Sequence, residues 1–340
     1  MAQSPRLLDL PWKVNLSIST LSFAVDITRR SNGTVNRFLM SLFDFKTSPS
    51  KKPVNGVKST DITIDKARNL WFRLYTPTTT TGGASRNDVS MPVIFFFHGG
   101  GFAYMSPDSK PYDDFCYRLA CELSAIIISV NYRLAPEHRC PAQYEDGFDA
   151  LKFIDNEQIE GFSNCVNLKH CFLAGDSAGG NLVHHVTLKA SEREFRNIKL
   201  IGNILIQPFF GGEERTESET RLSGQVPFFT IERADWMWRA FLPEGSDRDH
   251  PAANVFGFNS VDLSGREFPA TIVFIGGLDP LQDWQRRYYE GLKKSGKKAY
   301  LVEYPNTFHS FYAYPDLPEF SLFIKEVMEF VQKQSAATNK

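Results

Sequence analysis

The chain has 340 residues, enough for one large α/β domain or two smaller ones. Apolar residues make up 42%, and 29 phenylalanines promise a large aromatic core. Lysine plus arginine total 38 against 39 acidic residues, so no charge excess argues for nucleic acid or an anionic membrane as a partner. No run of about 18 apolar residues exists, so no membrane span is expected. Residues 1–13 lack an apolar core of signal-peptide length. The five cysteines are Cys116, Cys121, Cys140, Cys165 and Cys171. Their odd number, and the lack of a Cys-x-x-Cys pair, read as reduced, buried thiols and a cytoplasmic setting, with nuclear entry open. The sequons at Asn15 and Asn32 are then chance matches.

Residues 1–50 carry Trp12, Leu16, Leu21, Phe23, Val25 and Ile27, then Phe38, Leu39, Leu42, Phe43 and Phe45. Spacings of three and four predict amphipathic helices interrupted at 29–33. This segment is too short to bury its apolar face alone and should pack on the main body, as a lid or as a structural arm. Residues 61–65 and 70–75 alternate and predict an antiparallel pair, followed by a Thr/Gly/Ser/Asn loop at 78–90. The continuous apolar run 92–97 reads as a strand buried on both faces. A helix at 115–123, a strand at 125–130, a helix at 144–154, a strand at 171–174 and a strand at 200–206 follow. From 211 to 264 the alternation breaks, with one short apolar helix around Trp236, Met237, Trp238 and Phe241; this reads as an insertion covering one end of the sheet. The alternation resumes with a strand at 270–275, a helix at 284–294, a strand at 299–303, and a last helix with Phe320, Phe323, Ile324, Val327, Met328 and Val331 on one stripe. Strands alternating with helices imply a mostly parallel sheet wrapped on both sides.

In such sheets, sites form at the carboxyl ends of strands. The strand at 171–174 runs into Gly175-Asp176-Ser177-Ala178-Gly179, a G-x-S-x-G in strand–turn–helix context. That is the nucleophile elbow, whose flanking glycines relieve the crowding of a sharp turn. The alternative is a turn serine that caps a helix. The strand at 92–97 runs into His98-Gly99-Gly100-Gly101, where glycines let N–H groups approach a ligand oxygen closely. This matches an oxyanion-hole loop of Gly99, Gly100 and Gly101, with the N–H of Ala178 as a further donor; Gly99 shapes the loop. After the strand at 270–275 comes Asp279, and after the strand at 299–303 comes His309. Asp283 is the rival acid but sits in the following helix. The order Ser177, Asp279, His309 is that of α/β-hydrolases. His184 and His185, on the helix after the elbow, read as packing residues. No cluster has metal-ligand spacing, and the chemistry needs no cofactor.

His98-Gly99-Gly100-Gly101, residues 132–137, Gly175 to Gly179, Asp279 and His309 together resemble the hormone-sensitive-lipase branch of α/β-hydrolases. The similarity to plant class I carboxylesterases, and to the gibberellin receptor that arose within that family, runs nearly end to end. Arg29-Arg30 with residues 32–37 resembles the receptor's lid. Residues 211–217, Asp235-Trp236 and residues 247–251 resemble it too. The resemblance implies an α/β-hydrolase fold with residues 1–50 as an N-terminal lid, a hydrolase domain at 51–340 and a cap insertion at about 211–264. It also implies ligand contacts from Arg29, Tyr112 and Tyr312. The chain departs from the receptor at four places. The receptor has an apolar residue where His309 stands here, serine in place of Gly101, and a hormone-contacting tyrosine where Val25 stands. Its Asp-Arg pair becomes Arg233-Ala234.

The expected function is therefore a carboxylesterase acting on short-acyl or small apolar esters through Ser177, His309 and Asp279. A gibberellin-receptor-like binding protein, or a lyase or dehydratase acting on a specialised metabolite, is the alternative. The expected partner is a small-molecule ester, with no nucleic acid and no membrane span; protein partners are not indicated.

Overall fold

The computed structural model describes residues 8, 10–78, 90–157, 159, 162 and 166–338. Most of the loop expected at 78–90, and Cys165, lie outside these. The strands are β1 (Val57–Asp65), β2 (Leu70–Pro77), β3 (Met91–Phe97), β4 (Ile126–Asn131), β5 (Val166–Asp176), β6 (Leu200–Ile206), β7 (Ala270–Gly276) and β8 (Ala299–Tyr304). They form one sheet in the order β1-β2-β4-β3-β5-β6-β7-β8. β1 pairs antiparallel with β2, and β2 antiparallel with β4; every later pairing is parallel. Of the two alternating stretches, β1 is the half-exposed edge whereas β2 is buried almost throughout, and the continuous apolar run of β3 lies in the doubly covered centre, as burial on two faces requires.

Side chains on a strand point alternately to opposite faces, and this divides the interior in two. Val93, Phe95 and Phe97 enter one core with α4 (Ala142–Asn156), α5 (Ala178–Ala190) and α8 (Gln282–Lys294). Ile94 and Phe96 enter the other, with α3 (Lys110–Leu123) and α9 (Pro318–Thr338). Two elements extend beyond the sequence expectation. β5 begins at Val166, five residues early, because its half-exposed start pairs through backbone to Met91 rather than through apolar side chains. α3 begins at Lys110, where Pro111 suits a first turn that leaves its N–H unpaired anyway.

The N-terminal segment holds α1 (Trp12–Thr28) and α2 (Arg37–Ser41). Val14 and Ile18 join the α3/α9 core, whereas Ala24, Val25 and Met40 join the other. One helix thus touches the cores of both faces, which places it across the carboxyl ends of the strands. Its packing is narrower than expected: Trp12, Leu16, Phe23, Phe38, Leu42 and Phe45 are exposed. The apolar residues lie around much of α1 rather than on one stripe, and only one side of it meets the body. In the 211–264 insertion, α6 (Glu217–Leu222) is followed by α7 (Ile231–Phe241), whose Trp236, Met237, Trp238 and Phe241 are buried. Phe241 stacks on Phe102 with centroids 3.6 Å apart, and Trp238 stacks on Phe209 at 4.2 Å.

Four cysteines are described, all free; Cys116 and Cys171 are buried, Cys121 and Cys140 only partly. Among the described residues no helix is long and apolar enough to cross a membrane.

Buried histidines make the fold acid-sensitive. Burial pushes His98 down to about 3 and holds His184 well below its ordinary value of 6.5. Unfolded, both bind protons below about 6.5; folded, they do not, so stability falls as pH drops below that point. Each fully neutral histidine contributes a slope of about 1.4 kcal/mol per pH unit. Asp176, raised to about 6, works in the opposite sense between its unfolded value of 3.8 and 6. Two histidines outweigh one carboxyl, so urea unfolding should show a clear loss of stability from pH 7 to pH 5. A flat profile over that range would contradict the burial of both rings.

Candidate active site

β5 ends at Asp176 and α5 starts at Ala178, leaving one residue to reverse the chain. Ser177 does so at φ 50°, ψ −117°, a conformation costly for a residue with a Cβ. Its N–H donates to the Ile206 carbonyl at 2.9 Å, and its carbonyl accepts from Phe209 N at 2.8 Å. The flanking glycines are obligatory. A Cβ at Gly175 would lie 2.3 Å from the Gly179 carbonyl oxygen, and one at Gly179 would lie 1.8 Å from that of Phe97.

Three strand ends converge here. Ser177 Oγ lies 3.0 Å from His309 Nε2, and His309 Nδ1 lies 2.8 Å from Asp279 Oδ2. A carboxylate only accepts, so Nδ1 carries the proton and Nε2 is left to accept from the serine. All three residues are buried. Asp279 also accepts from Leu281 N and from Gln285 Nε2, each at 2.9 Å. Gln207 brackets the histidine: its Nε2 donates to Phe308 O at 3.1 Å, and its Oε1 accepts from Ser310 N at 2.8 Å. Asp283 lies elsewhere, accepting from Ser218 N at 2.9 Å. Sequence reasoning missed Gln207 and Gln285. The Gln207 amide pairs across about a hundred residues and the Gln285 amide six residues back from within α8, and neither leaves a periodic or motif signal.

The loop after β3 turns through positive φ at Gly100 (99°) and Gly101 (59°). Among the described residues, nothing accepts a hydrogen bond from the N–H groups of Gly100, Gly101 or Ala178. Gly99, expected to shape the loop, differs from these three. Its N–H donates to Asp176 Oδ1 at 2.9 Å and to the Tyr112 hydroxyl at 2.9 Å. Asp176, inside the elbow but overlooked as a functional residue, also accepts from the hydroxyls of Tyr112 (2.8 Å) and Tyr312. Burial raises its carboxyl to about 6, although the bonds from Tyr312, Tyr112 and Gly99 pull it down. His98 points away from the site, stacked on Tyr132 at 4.3 Å.

These groups open onto a cavity of about 350 Å³. Leu21 and Val25 of α1, Phe209, Phe228 and Phe229, and Met237 of α7 give it apolar walls. Tyr112 and Tyr312 line it, but both hydroxyls donate to Asp176. Arg29 does not line it, contrary to the ligand contact implied by resemblance: its guanidinium pairs with Glu232 at 2.9 Å and Asp26 at 3.2 Å. His184 and His185 pack away from the site, His184 beside the Tyr288 hydroxyl at 3.1 Å and His185 stacked on Tyr144 at 4.2 Å. Among the described residues, no group of three or more His, Cys, Asp or Glu could hold a metal ion.

Arg233, which does line the cavity, ties the segment over it to the insertion. Its guanidinium meets both oxygens of Asp26, at 2.9 and 2.6 Å, and donates to the Phe228 carbonyl. Trp236 Nε1 donates to Arg30 O at 2.9 Å. Both contacts join α1 or its C-terminal turn to α7.

Residues 94–313 match a family described by its alpha/beta hydrolase fold. A gibberellin receptor of Arabidopsis thaliana is 42% identical over 332 residues, covering 96% of this chain and 95% of the receptor. Carboxylesterase 20 of the same plant is 37% identical over 281 residues, covering 80% of this chain and 84% of that protein. Among solved structures, a hyperthermophilic esterase of the archaeon Pyrobaculum calidifontis superposes with a TM-score of 0.70 at 27% identity, over 99% of this chain and 100% of the esterase.

Arg233 is only slightly exposed but Asp26 is exposed, so their pairing is partly screened by solvent. Arg233→Ala should loosen α1 selectively: amide exchange across Trp12–Thr28 should accelerate about tenfold, while β3, β5 and β6 keep wild-type protection. Unchanged exchange in α1 would show that apolar packing alone holds the segment.

Proposed function

The chain belongs to the α/β-hydrolase family, and on that premise we propose that it is a carboxylesterase for short-acyl or small apolar esters. The observation that carries this reading is the continuous relay from Ser177 Oγ through His309 to Asp279 beneath an apolar cavity. Ser177 attacks the ester carbonyl as His309 Nε2 takes its proton. Asp279 holds the imidazole tautomer and stabilises the imidazolium. The N–H groups of Gly100, Gly101 and Ala178 receive the oxyanion; their lack of internal acceptors leaves them available to it. The alcohol departs with the proton from His309. Water then attacks the acyl-enzyme with His309 as base, and the acid is released. Residues 1–50 act as a lid and the 211–264 insertion as a cap, together shaping the cavity that selects the acyl and alcohol groups. The supporting contacts are Leu21, Val25 and Met237 on its wall.

Residues that act as one unit have losses that do not add. Ser177→Ala and His309→Ala should each lower turnover of p-nitrophenyl acetate by roughly 1,000-fold or more, and the double variant should be no more than about threefold worse than either. Wild-type turnover in Ser177→Ala would remove the nucleophile assignment.

The similarity to a gibberellin receptor supports a second reading, a small-molecule receptor that keeps the relay. Two features count against a hormone site of that kind. Val25 presents no hydroxyl to the cavity, and the guanidinium of Arg233 is already paired with Asp26. A site designed around a buried hydroxyl loses about 1–3 kcal/mol when the partner is left unpaired. Calorimetric titration with an active gibberellin should therefore show weak or no binding, alongside hydrolysis in a series of esters of graded acyl length. Micromolar or tighter binding without turnover of any ester in the series would replace the esterase by the receptor.

A further inference from the structure

Two of the oxyanion donors, Gly100 and Gly101, sit on the loop after β3, whose far side is held by bonds from Ala103 N and Tyr104 N to the Gly100 carbonyl at 3.1 and 3.0 Å and from Ala135 N to the Phe102 carbonyl at 2.9 Å. Gly100 and Gly101 make positive-φ turns, and glycine is the residue that resists such motion least. The residue before them anchors the end of the loop that leaves β3. The Gly99 N–H meets two acceptors at once, Asp176 Oδ1 and the Tyr112 hydroxyl, each at 2.9 Å. Contact is so close that a Cβ on Gly99 would lie 2.4 Å from Asp176 Oδ2 and 2.8 Å from the Tyr112 hydroxyl.

Asp176 is itself immobilised from three directions. β5 carries its backbone, α3 brings the Tyr112 hydroxyl to Oδ2 at 2.8 Å, and the turn after His309 brings the Tyr312 hydroxyl to the same oxygen. The residue is 1% exposed. An ionised carboxylate at such a place is costly unless it is hydrogen-bonded. Here it accepts three hydrogen bonds, two from tyrosines that line the cavity and one from Gly99 at the start of the glycine loop. A buried carboxylate that joins the elbow, the glycine loop and the histidine turn has no evident use in packing, where an apolar side chain would serve at lower cost.

We propose that Asp176 is a positioning residue of the esterase reaction, holding Gly99 so that the Gly100 and Gly101 N–H groups face the carbonyl oxygen as it becomes an oxyanion, with Tyr112 as its supporting acceptor. The inference rests on the esterase reading above. Asp176 touches no reacting atom in this scheme and exchanges no proton with substrate. Its effect passes through Gly99, so it should alter the transition state and leave ground-state binding nearly alone. This also gives Tyr112 and Tyr312 a role distinct from substrate recognition: their protons are committed to Asp176.

The experiment compares the full-length wild type with Asp176→Asn and Tyr112→Phe, measuring kcat and KM on p-nitrophenyl acetate. The same proteins are titrated with an aryl trifluoromethyl ketone, which Ser177 converts to a stable tetrahedral adduct. Asp176→Asn should lower kcat on the order of 100-fold, the scale of losing an oxyanion donor, with KM within about threefold. Tyr112→Phe keeps the carboxylate and removes one acceptor from Gly99; it should lower kcat roughly tenfold, as a partial loss of the same donor geometry. Affinity for the ketone should weaken in the same proportion as kcat in each variant, because both depend on the oxyanion donors. A purely structural residue would not link the two. The proposal is overturned if Asp176→Asn retains kcat within about threefold of wild type, or if ketone affinity stays unchanged while kcat falls. If Asp176→Asn does not fold, Tyr112→Phe decides by the same two criteria. A wild-type protein that neither turns over the ester nor forms the ketone adduct overturns the esterase reading, and this inference with it.

Discussion

Everything at the site depends on how closely α5 approaches the end of β3. Gly179 lies against the Phe97 carbonyl, where even a methyl group would be 1.8 Å from the oxygen. Because that approach is possible, β5 can turn into α5 through a single residue, Ser177, in a conformation few side-chain-bearing residues adopt. The same approach sets the glycine loop after β3 beside the start of α5. One close contact thus delivers both the serine and the N–H groups around it. The strain is borne by the centre of a sheet whose strands are covered on both faces, the part of the molecule least able to relax.

Around this point the protein buries many polar groups and pairs most of them, Gln285 Oε1 and His98 Nε2 being exceptions. Asp279 accepts from His309, Gln285 and the Leu281 N–H; Gln207 grips the backbone on both sides of His309; Asp176 gathers Tyr112, Tyr312 and Gly99. Such networks are worth more in a low-dielectric interior than in water, and an incomplete one is penalised by the same factor. Their arrangement is directional. Each carboxylate is taken up by internal donors, whereas the N–H groups of Gly100, Gly101 and Ala178 remain without an internal acceptor among the described residues. The site is rigid where side chains must be aimed and open where charge would develop.

The cavity's far wall comes from elements that are not part of the sheet. α1 and α7 supply Val25, Leu21 and Met237, and the Asp26–Arg233 and Trp236–Arg30 contacts join these two helices across the opening. Arg233 is the chain's own solution at this place. Its charge is directed at α1 rather than at a ligand, so the wall that faces a ligand is mainly apolar.

The sequence alone determined the fold class, the alternation of strands and helices, the elbow and the order of Ser177, Asp279 and His309. These are local properties. A strand buried on both faces must read as a continuous apolar run, and a one-residue reversal between strand and helix must be flanked by glycine. Even the preference for Asp279 over Asp283 followed from which of them comes directly after a strand. Tertiary structure decided the rest. Arg29, expected at the ligand, is turned to Glu232 and Asp26; Tyr112 and Tyr312, expected there too, give their hydroxyl protons to Asp176; half the apolar residues of α1 face outward. In each case the outcome depended on partners far away in the chain, where one carboxylate or one hydroxyl captures a group that could otherwise have faced the cavity. Composition and spacing register what a residue is able to do. Which of its possible partners comes within 3 Å is settled only when the strands have brought them together.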